Sequence, residues 1–486
     1  MPPAPPERSP PQPAATEPLG SAVLLYPYRT LDRTLVRIRL FFTRSHRAEL
    51  WFWALCIFLL TTPFTFHMMG ENPVDHVNRN MNTMRRADFS LLRIYMVRLS
   101  VFAVAFALAL PRWRLTARLM PRILPMTAFL LWVWLSVLWS DAFTTTLNSA
   151  LVLTLLLLSG FLIGIRLPLH HAAKVLVGAA FIIAVTSLMS VIVMPSYGVH
   201  QMTDASQSVH AGAWRGVYLH KNHFGQLCGI CLSGVLMARR SVIHSGFVKW
   251  TLAGLLFFLI LRSTSASAVA LVPLTLMLSY YIVALNPLGK VLAGIAAIAG
   301  GLVGLLSFNL MLEMLGRDAT FSGRTNIWES AATFISRNPL HGYGFNSTNY
   351  GGFTQELNRL TGLADPHNGY VDLVLGTGFI GLTLFLFAVV MAWIVLRGVY
   401  RMGGAQASGA LVIAGMLNGY LISTITEANV RPLGTVAGFG LCTLAIALSA
   451  PRLRRLRTGR FPALTDARPD RMDEGPHRRS WREREA

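Results

Sequence analysis

Three short stretches gather most of the groups able to do chemistry in an otherwise apolar chain. "RGVYLHKNHFG" (215–225) sets Arg215, His220, Lys221, Asn222 and His223 at the start of an apolar run. Asn222 is a suitable helix N-cap, and a helix start offers unpaired N–H groups and the positive end of its dipole. Basic and imidazole groups beside such a start form a seat for an anion, phosphate above all. Interfacial snorkelling of the arginine explains one such cluster equally well. The pattern then repeats. "GRDATFSGRTNIW" (316–328) places Arg317 and Arg324 before an amphipathic run, and "ADPHNGYVDLVLGTGFIG" (364–381) places His367 and Asn368 before another apolar run. Arg262 closes a further run on the same side. One anion site explains three such clusters better than snorkelling does. A neutral histidine beside an anionic substrate can act as a general base, which is the chemistry open to His367. A capping or structural histidine is the other reading. Asp365 and Asp318 are candidate carboxylates to orient it.

The elements that must carry these residues follow from composition. Of 486 residues, 53% are hydrophobic and 13% charged, with a mean hydropathy of +0.49. Soluble domains carry about 25% charged residues. Apolar runs long enough to cross a bilayer recur at roughly 48–66, 89–110, 121–139, 147–165, 173–194, 223–238, 247–261, 264–285, 289–312, 369–395, 407–424 and 433–450. The expected fold class is all-α: a polytopic membrane protein with about twelve transmembrane helices. A basic, Pro-rich tail (1–47) and a basic tail (451–486) flank the membrane domain (48–450).

The net charge of +21 suggests nucleic acid, but its placement argues for topology. The loops 111–122, 166–174, 239–249, 286–290 and 397–406 hold 12 Lys and Arg, against 11 in opposite loops more than twice as long. The denser set belongs to the cytoplasm, and so do both tails. No nucleic-acid partner is expected; membrane lipids are. The long loops 195–222 and 313–368 then face the periplasm of a bacterial inner membrane. In the second, Ile327, Trp328, Ala331, Phe334 and Ile335 recur at helical spacing, with Thr325 placed to cap the helix and Pro339 just past its end. Such a helix is a lid packed on the bundle, over a site or otherwise. Cys56, Cys228, Cys231 and Cys442 all fall in apolar runs and read as small buried hydrophobes. Neither a Walker motif nor a D-x-D pair in the periplasmic loops is present. No metal and no cofactor is expected.

Taken together, the three clusters resemble the O-antigen ligase / Wzy-type polymerase superfamily. "LSVLWSDAFTTTLNSALVLT" (135–154) looks like that family's short turn between the third and fourth helices. "GRDATFSGRTNIWESAATFISRNPLHGYGFN" and "HNGYVDLVLGTGFIGL" are similar to its large-loop signature, and the first is most like that of exopolysaccharide-production polymerases. The resemblance covers about 120–450. It implies a periplasm-facing glycosyltransferase whose donor is an undecaprenyl-pyrophosphate-linked oligosaccharide. A glycan or lipid acceptor hydroxyl would attack the anomeric carbon with inversion. By matching motif, Arg215 and Arg324 would bind the pyrophosphate and His367 would activate the hydroxyl. His220, Asn222, Arg262, Asp318 and Glu427 stand in a second rank; Glu427 can pair with Arg431 or touch sugar. Where relatives carry Ser-Arg after the seventh span, this chain reads "RSTSAS" with arginine first. Polymerisation of repeat units is the first expectation, and transfer of finished glycan to lipid A core or another acceptor the second. A transporter or flippase for lipid-linked glycan is the rival of another class.

Overall fold

A segment crossing lipid must satisfy its own backbone polar groups, so long apolar runs become helices. The computed structural model describes residues 46–62, 84–109, 113–204, 208–291, 294, 324–349, 356, 366–432 and 435–450. Their helices are α1 (His46–Thr61), α2 (Met84–Ala109), α3 (Trp113–Leu135), α4 (Phe143–Arg166), α5 (Leu169–Val193), α6 (Lys221–Met237), α7 (Gly246–Ser263), α8 (Ala266–Ser279), α9 (Arg324–Arg337), α10 (Gly369–Tyr400), α11 (Gly404–Thr426) and α12 (Thr435–Ser449). No strand occurs among the described residues, only an isolated bridge between Val199 and Trp214.

The protein is a multi-pass membrane protein. Among the described residues, six helices are long and apolar enough to cross a membrane: α4, α5, α7, α8 with its continuation to Ala284, α10 and α11. Shorter apolar helices run over Tyr95–Leu108, Ile123–Trp139 and Thr435–Ser449. The expected ninth span, 289–312, falls almost wholly outside the described residues, as do both tails and the segments 313–323, 350–355 and 357–365 of the long loop. The count of twelve crossings rests on the sequence.

Small residues let helices approach where lipid offers no hydrophobic drive for association. Gly160 and Gly164 of α4 lie against α12: a Cβ on Gly160 would sit 2.7 Å from the Cys442 carbonyl oxygen, and one on Gly164 would overlap the Ser449 hydroxyl. Polar contacts join other helices. Asn418 of α11 donates to Ser279 Oγ at 2.9 Å and accepts from the Trp393 indole of α10 at 2.9 Å. The buried Glu49 of α1 takes a 2.7 Å bond from Arg166 Nε of α4.

Helix α10 is interrupted. Within α10, Gly378 adopts φ +67° and ψ −176°. The chain at 339–344 runs into this break. Phe379 N–H donates to the Pro339 carbonyl (2.8 Å), Tyr343 N–H to Leu375 (2.8 Å) and Gly344 N–H to Gly376 (2.8 Å). The "GYGFN" segment (342–346) is therefore the partner of a broken helix.

The candidate active site

Helices α6, α8 and α10 begin at one end of the bundle, and α7 and α11 finish there. The local start of α6 differs from expectation. The cap is His220, whose Nδ1 accepts the Asn222 N–H at 3.1 Å. Histidine serves because its ring nitrogen reaches the same N–H that an Asn oxygen would. The Asn222 side chain instead donates its amide to Glu427 Oε1 at 2.9 Å. Glu427 is the C-cap of α11.

At the start of α10, Asn368 Oδ1 accepts from the N–H groups of Tyr370 and Val371. Just before it, His367 adopts φ +47°. Side chains other than glycine rarely occupy this left-handed region, and it is maintained only where neighbours fix it. Here Gly369 N–H donates to the Glu427 carbonyl at 3.1 Å, and His367 Nδ1 lies 3.3 Å from Glu427 Oε2. Side-chain exposure is 32% for His367 and 8% for Glu427.

The electrostatics fix the roles. Burial pushes the Glu427 carboxyl upward, but the His367 hydrogen bond, the His223 and His367 charges and the Asn222 amide outweigh it and hold it down at about 2. An ionised carboxylate only accepts, so His367 Nδ1 must be the donor. When the ring is neutral, this leaves the basic lone pair on Nε2. A carboxylate that orients an imidazole through Nδ1 is the arrangement of a general base.

Beneath the dyad lies a buried polar floor. One turn past Asn222, Gln226 donates to Thr426 Oγ1 (2.9 Å) and Ser267 Oγ (3.2 Å) and accepts from Asn429 (2.8 Å). Such satisfied networks make a site rigid.

Helix α9 packs on the start of α10. Ile327, Ala331 and Leu375 are fully buried together, flanked by Trp328, Phe334, Ile335 and Val371. Thr325 lies inside the first turn, since the helix already begins at Arg324. The Trp328 indole N–H donates to the Pro366 carbonyl at 3.0 Å, one peptide before His367. Trp328→Phe deletes this bond and retains a ring. We expect a roughly tenfold fall in turnover, corresponding to about 1.4 kcal/mol, read from initial rates beside a melting curve. Wild-type turnover in a folded variant would remove the indole from the positioning of His367.

The other sequence-flagged residues are placed as follows. Arg215 is fully buried in the loop before α6 and donates to Asp204 (3.0 Å) and to the carbonyls of Tyr197 (2.7 Å) and Ser196 (3.2 Å). Arg262 is exposed at the end of α7, its guanidinium 4.8 Å above the Trp214 ring. Arg324 opens α9 four residues before Trp328. Asp318, Asp365 and Arg317 lie outside the described residues. The pairing of Glu427 with Arg431 is corrected: Arg431 binds both oxygens of Asp372 (3.0 and 2.9 Å), which Thr348 also bonds at 2.6 Å. Sequence reasoning placed Trp328 on the lid helix without its bond to Pro366, and missed His200 as a member of this region.

His200, His210, His220 and His223 pack with ring centroids 5.3–5.8 Å apart in successive pairs. Among the described residues no three His, Cys, Asp or Glu side chains converge as a metal site. His200 donates through Nδ1 to Asp204 and accepts the Lys221 N–H at Nε2. Burial and the Arg215 cation push it down to about 4 against the opposing Asp204. Burial and then His223 push His220 down to about 3. Both histidines are neutral when folded, whereas in the unfolded chain they protonate near the ordinary value of 6.5. Their stabilising contribution is full above pH 6.5 and is lost as pH falls toward 4 and 3, by about 1.4 kcal/mol per pH unit for each. Melting temperature should therefore drop between pH 7 and 5, less so in His200→Gln; a flat profile would contradict the neutral pair.

Residues 250–386 match a family model described as O-Antigen ligase. The chain is 29% identical over 197 residues to the exopolysaccharide production protein ExoQ of Rhizobium meliloti (strain 1021). That alignment covers 38% of this chain and 44% of the relative, so the chain spans less than half the length of the curated protein it matches. The family match takes in Arg262, Arg324 and His367 and stops short of Asn222 on one side and Glu427 on the other.

Proposed function

We propose that this member of the O-antigen ligase / Wzy-type family, a family of membrane glycan-processing enzymes, is an inner-membrane glycosyltransferase that joins lipid-linked repeat units into polysaccharide. The observation that carries the proposal is the Asn222–Glu427–His367 constellation at the start of α10. His367 Nε2 takes the proton of an acceptor hydroxyl as its oxygen attacks the anomeric carbon of an undecaprenyl-pyrophosphate-linked glycan. The bond from that carbon to the pyrophosphate oxygen breaks, its electron pair leaves with the pyrophosphate, and the centre inverts. General-base help of this kind is worth roughly 10²–10⁴-fold.

Arg324 neutralises the leaving pyrophosphate, an electrostatic contribution of order 3 kcal/mol. Arg215, buried against Asp204, shapes the loop that presents His220 and Asn222. The step is metal-independent. The dyad faces the periplasm and both termini the cytoplasm. Transfer to lipid A core is the second reading, favoured by the description of the matched family as a ligase. It uses the same donor and the same base.

The test is purified protein in nanodiscs with the lipid-linked oligosaccharide as sole substrate. A ladder of longer lipid-linked chains, absent in Arg324→Ala, is the expected result. No ladder until lipid A core is added would make the protein a ligase, and none in either case would sink the glycosyltransferase reading.

A further inference from the structure

We infer that the end of the bundle opposite His367 carries a binding site for the headgroup of an anionic phospholipid, formed by Arg239, Lys290, Arg397 and Arg401. The 32 residues of α10 separate the two ends: His367 precedes its first residue, and Arg397 and Arg401 mark its last turn. At about 1.5 Å per residue, an unbroken helix of this length would run roughly 48 Å, and the break at Gly378 alters the straight-line distance.

The four cations come from three segments and gather around two tyrosines. Lys290 Nζ lies 5.1 Å from the Tyr281 ring centroid, and Arg239 Cζ lies 6.0 Å from that of Tyr400. Arg397 donates to the carbonyls of Ile282 (2.7 Å) and Leu285 (3.3 Å), closing the π-turn Tyr280–Ala284 that ends α8. Arg397 and Arg401 both act electrostatically on Lys290.

Among the described residues the patch has no counter-charge. Segments 239–249, 286–290 and 397–406 contain no Asp or Glu. None of the four cations forms an ion pair with a described acidic side chain. Three cations elsewhere do have carboxylate partners: Arg166 with Glu49, Arg215 with Asp204, Arg431 with Asp372. Like charges held together favour an anion between them.

Topology alone explains basic residues on one side. It does not explain two of them anchored over aromatic faces and a third locked by two carbonyls. Leu288, Val291 and Met402 are exposed by 67%, 59% and 41% near these cations in sequence. A phospholipid supplies phosphate for the cations and acyl chain for the apolar side chains, whereas a small anion supplies only the first.

The test is native mass spectrometry of the full chain in detergent, delipidated and offered phosphatidylglycerol and phosphatidylcholine at equal concentration. Arg397 is left in place because it closes the π-turn. Wild-type protein should retain phosphatidylglycerol preferentially by about tenfold, and Lys290→Gln with Arg401→Gln should reduce the preference to about twofold. Arg337→Gln, on α9 at the other end, should change nothing. Equal retention of both lipids by wild type, or an undiminished preference in a double variant that melts normally, would overturn the proposal. So would displacement of phosphatidylglycerol by about 10 mM inorganic phosphate, which would assign the patch to a free anion.

Discussion

Glu427→Gln should lower turnover about a hundredfold or more while donor binding stays within severalfold of wild type. The substitution retains size and the ability to bond Asn222, so the helix ends should hold. It removes the anion that selects the Nδ1–H tautomer of His367 and stabilises the imidazolium formed as the acceptor loses its proton. Because the Glu427 carboxyl is held at about 2, it stays ionised across any workable pH, and an acid limb in the wild-type rate profile above pH 4 must belong to another group. His367→Ala should match the Glu427 loss, and the double variant should be little worse than either single one, as expected for residues acting as a unit. Turnover of Glu427→Gln within threefold of wild type, in protein that melts normally, would remove the carboxylate from the chemistry and leave His367 as a capping residue.

The parts of this site differ in how far the sequence disclosed them, for physical reasons. Apolar runs marked most helices because burial in lipid leaves a continuous hydrophobic signature. His367 and Asn368 stood out because polar residues at the mouth of such a run are conspicuous. The partner of His367 was not legible. Asp318 and Asp365 were nearer in the chain, yet Glu427 is brought in by the finish of α11 against the start of α10, 60 residues away. The His220 cap was also hidden, since asparagine is the stronger capping residue by preference. In the folded chain Asn222 is engaged by a carboxylate from another helix. Arg215 shows the limit of reading charge from sequence. Its type suggested an anion, but type does not reveal solvation, and the fold buries it against Asp204.

Gly378→Ala should be among the most damaging single substitutions, costing about 3–5 kcal/mol and depleting folded protein. A left-handed φ of +67° already disfavours any side chain. A Cβ there would also overlap the Leu340 carbonyl and the His341 nitrogen, all of it backbone that cannot rotate away. The loss would spread because the break is satisfied from outside the helix. Trp132 donates its indole N–H to the Thr377 carbonyl at 2.8 Å, and the 339–344 segment supplies the bonds to Leu375, Gly376 and Phe379. Interrupted backbone within a membrane helix persists only when other groups complete it. Those same bonds hold the far end of α9, while Trp328 holds its near end to Pro366. The break therefore fixes the helix that begins at Arg324 relative to His367. The control is Gly254→Ala in α7, where a Cβ meets nothing within 4 Å. It should be neutral or slightly stabilising. Thermal melts and yield of the two variants in one detergent decide the matter: equal stability would mean that α10 tolerates a regular helix through residue 378, and that α9 is positioned by Trp328 and its packing against Leu375.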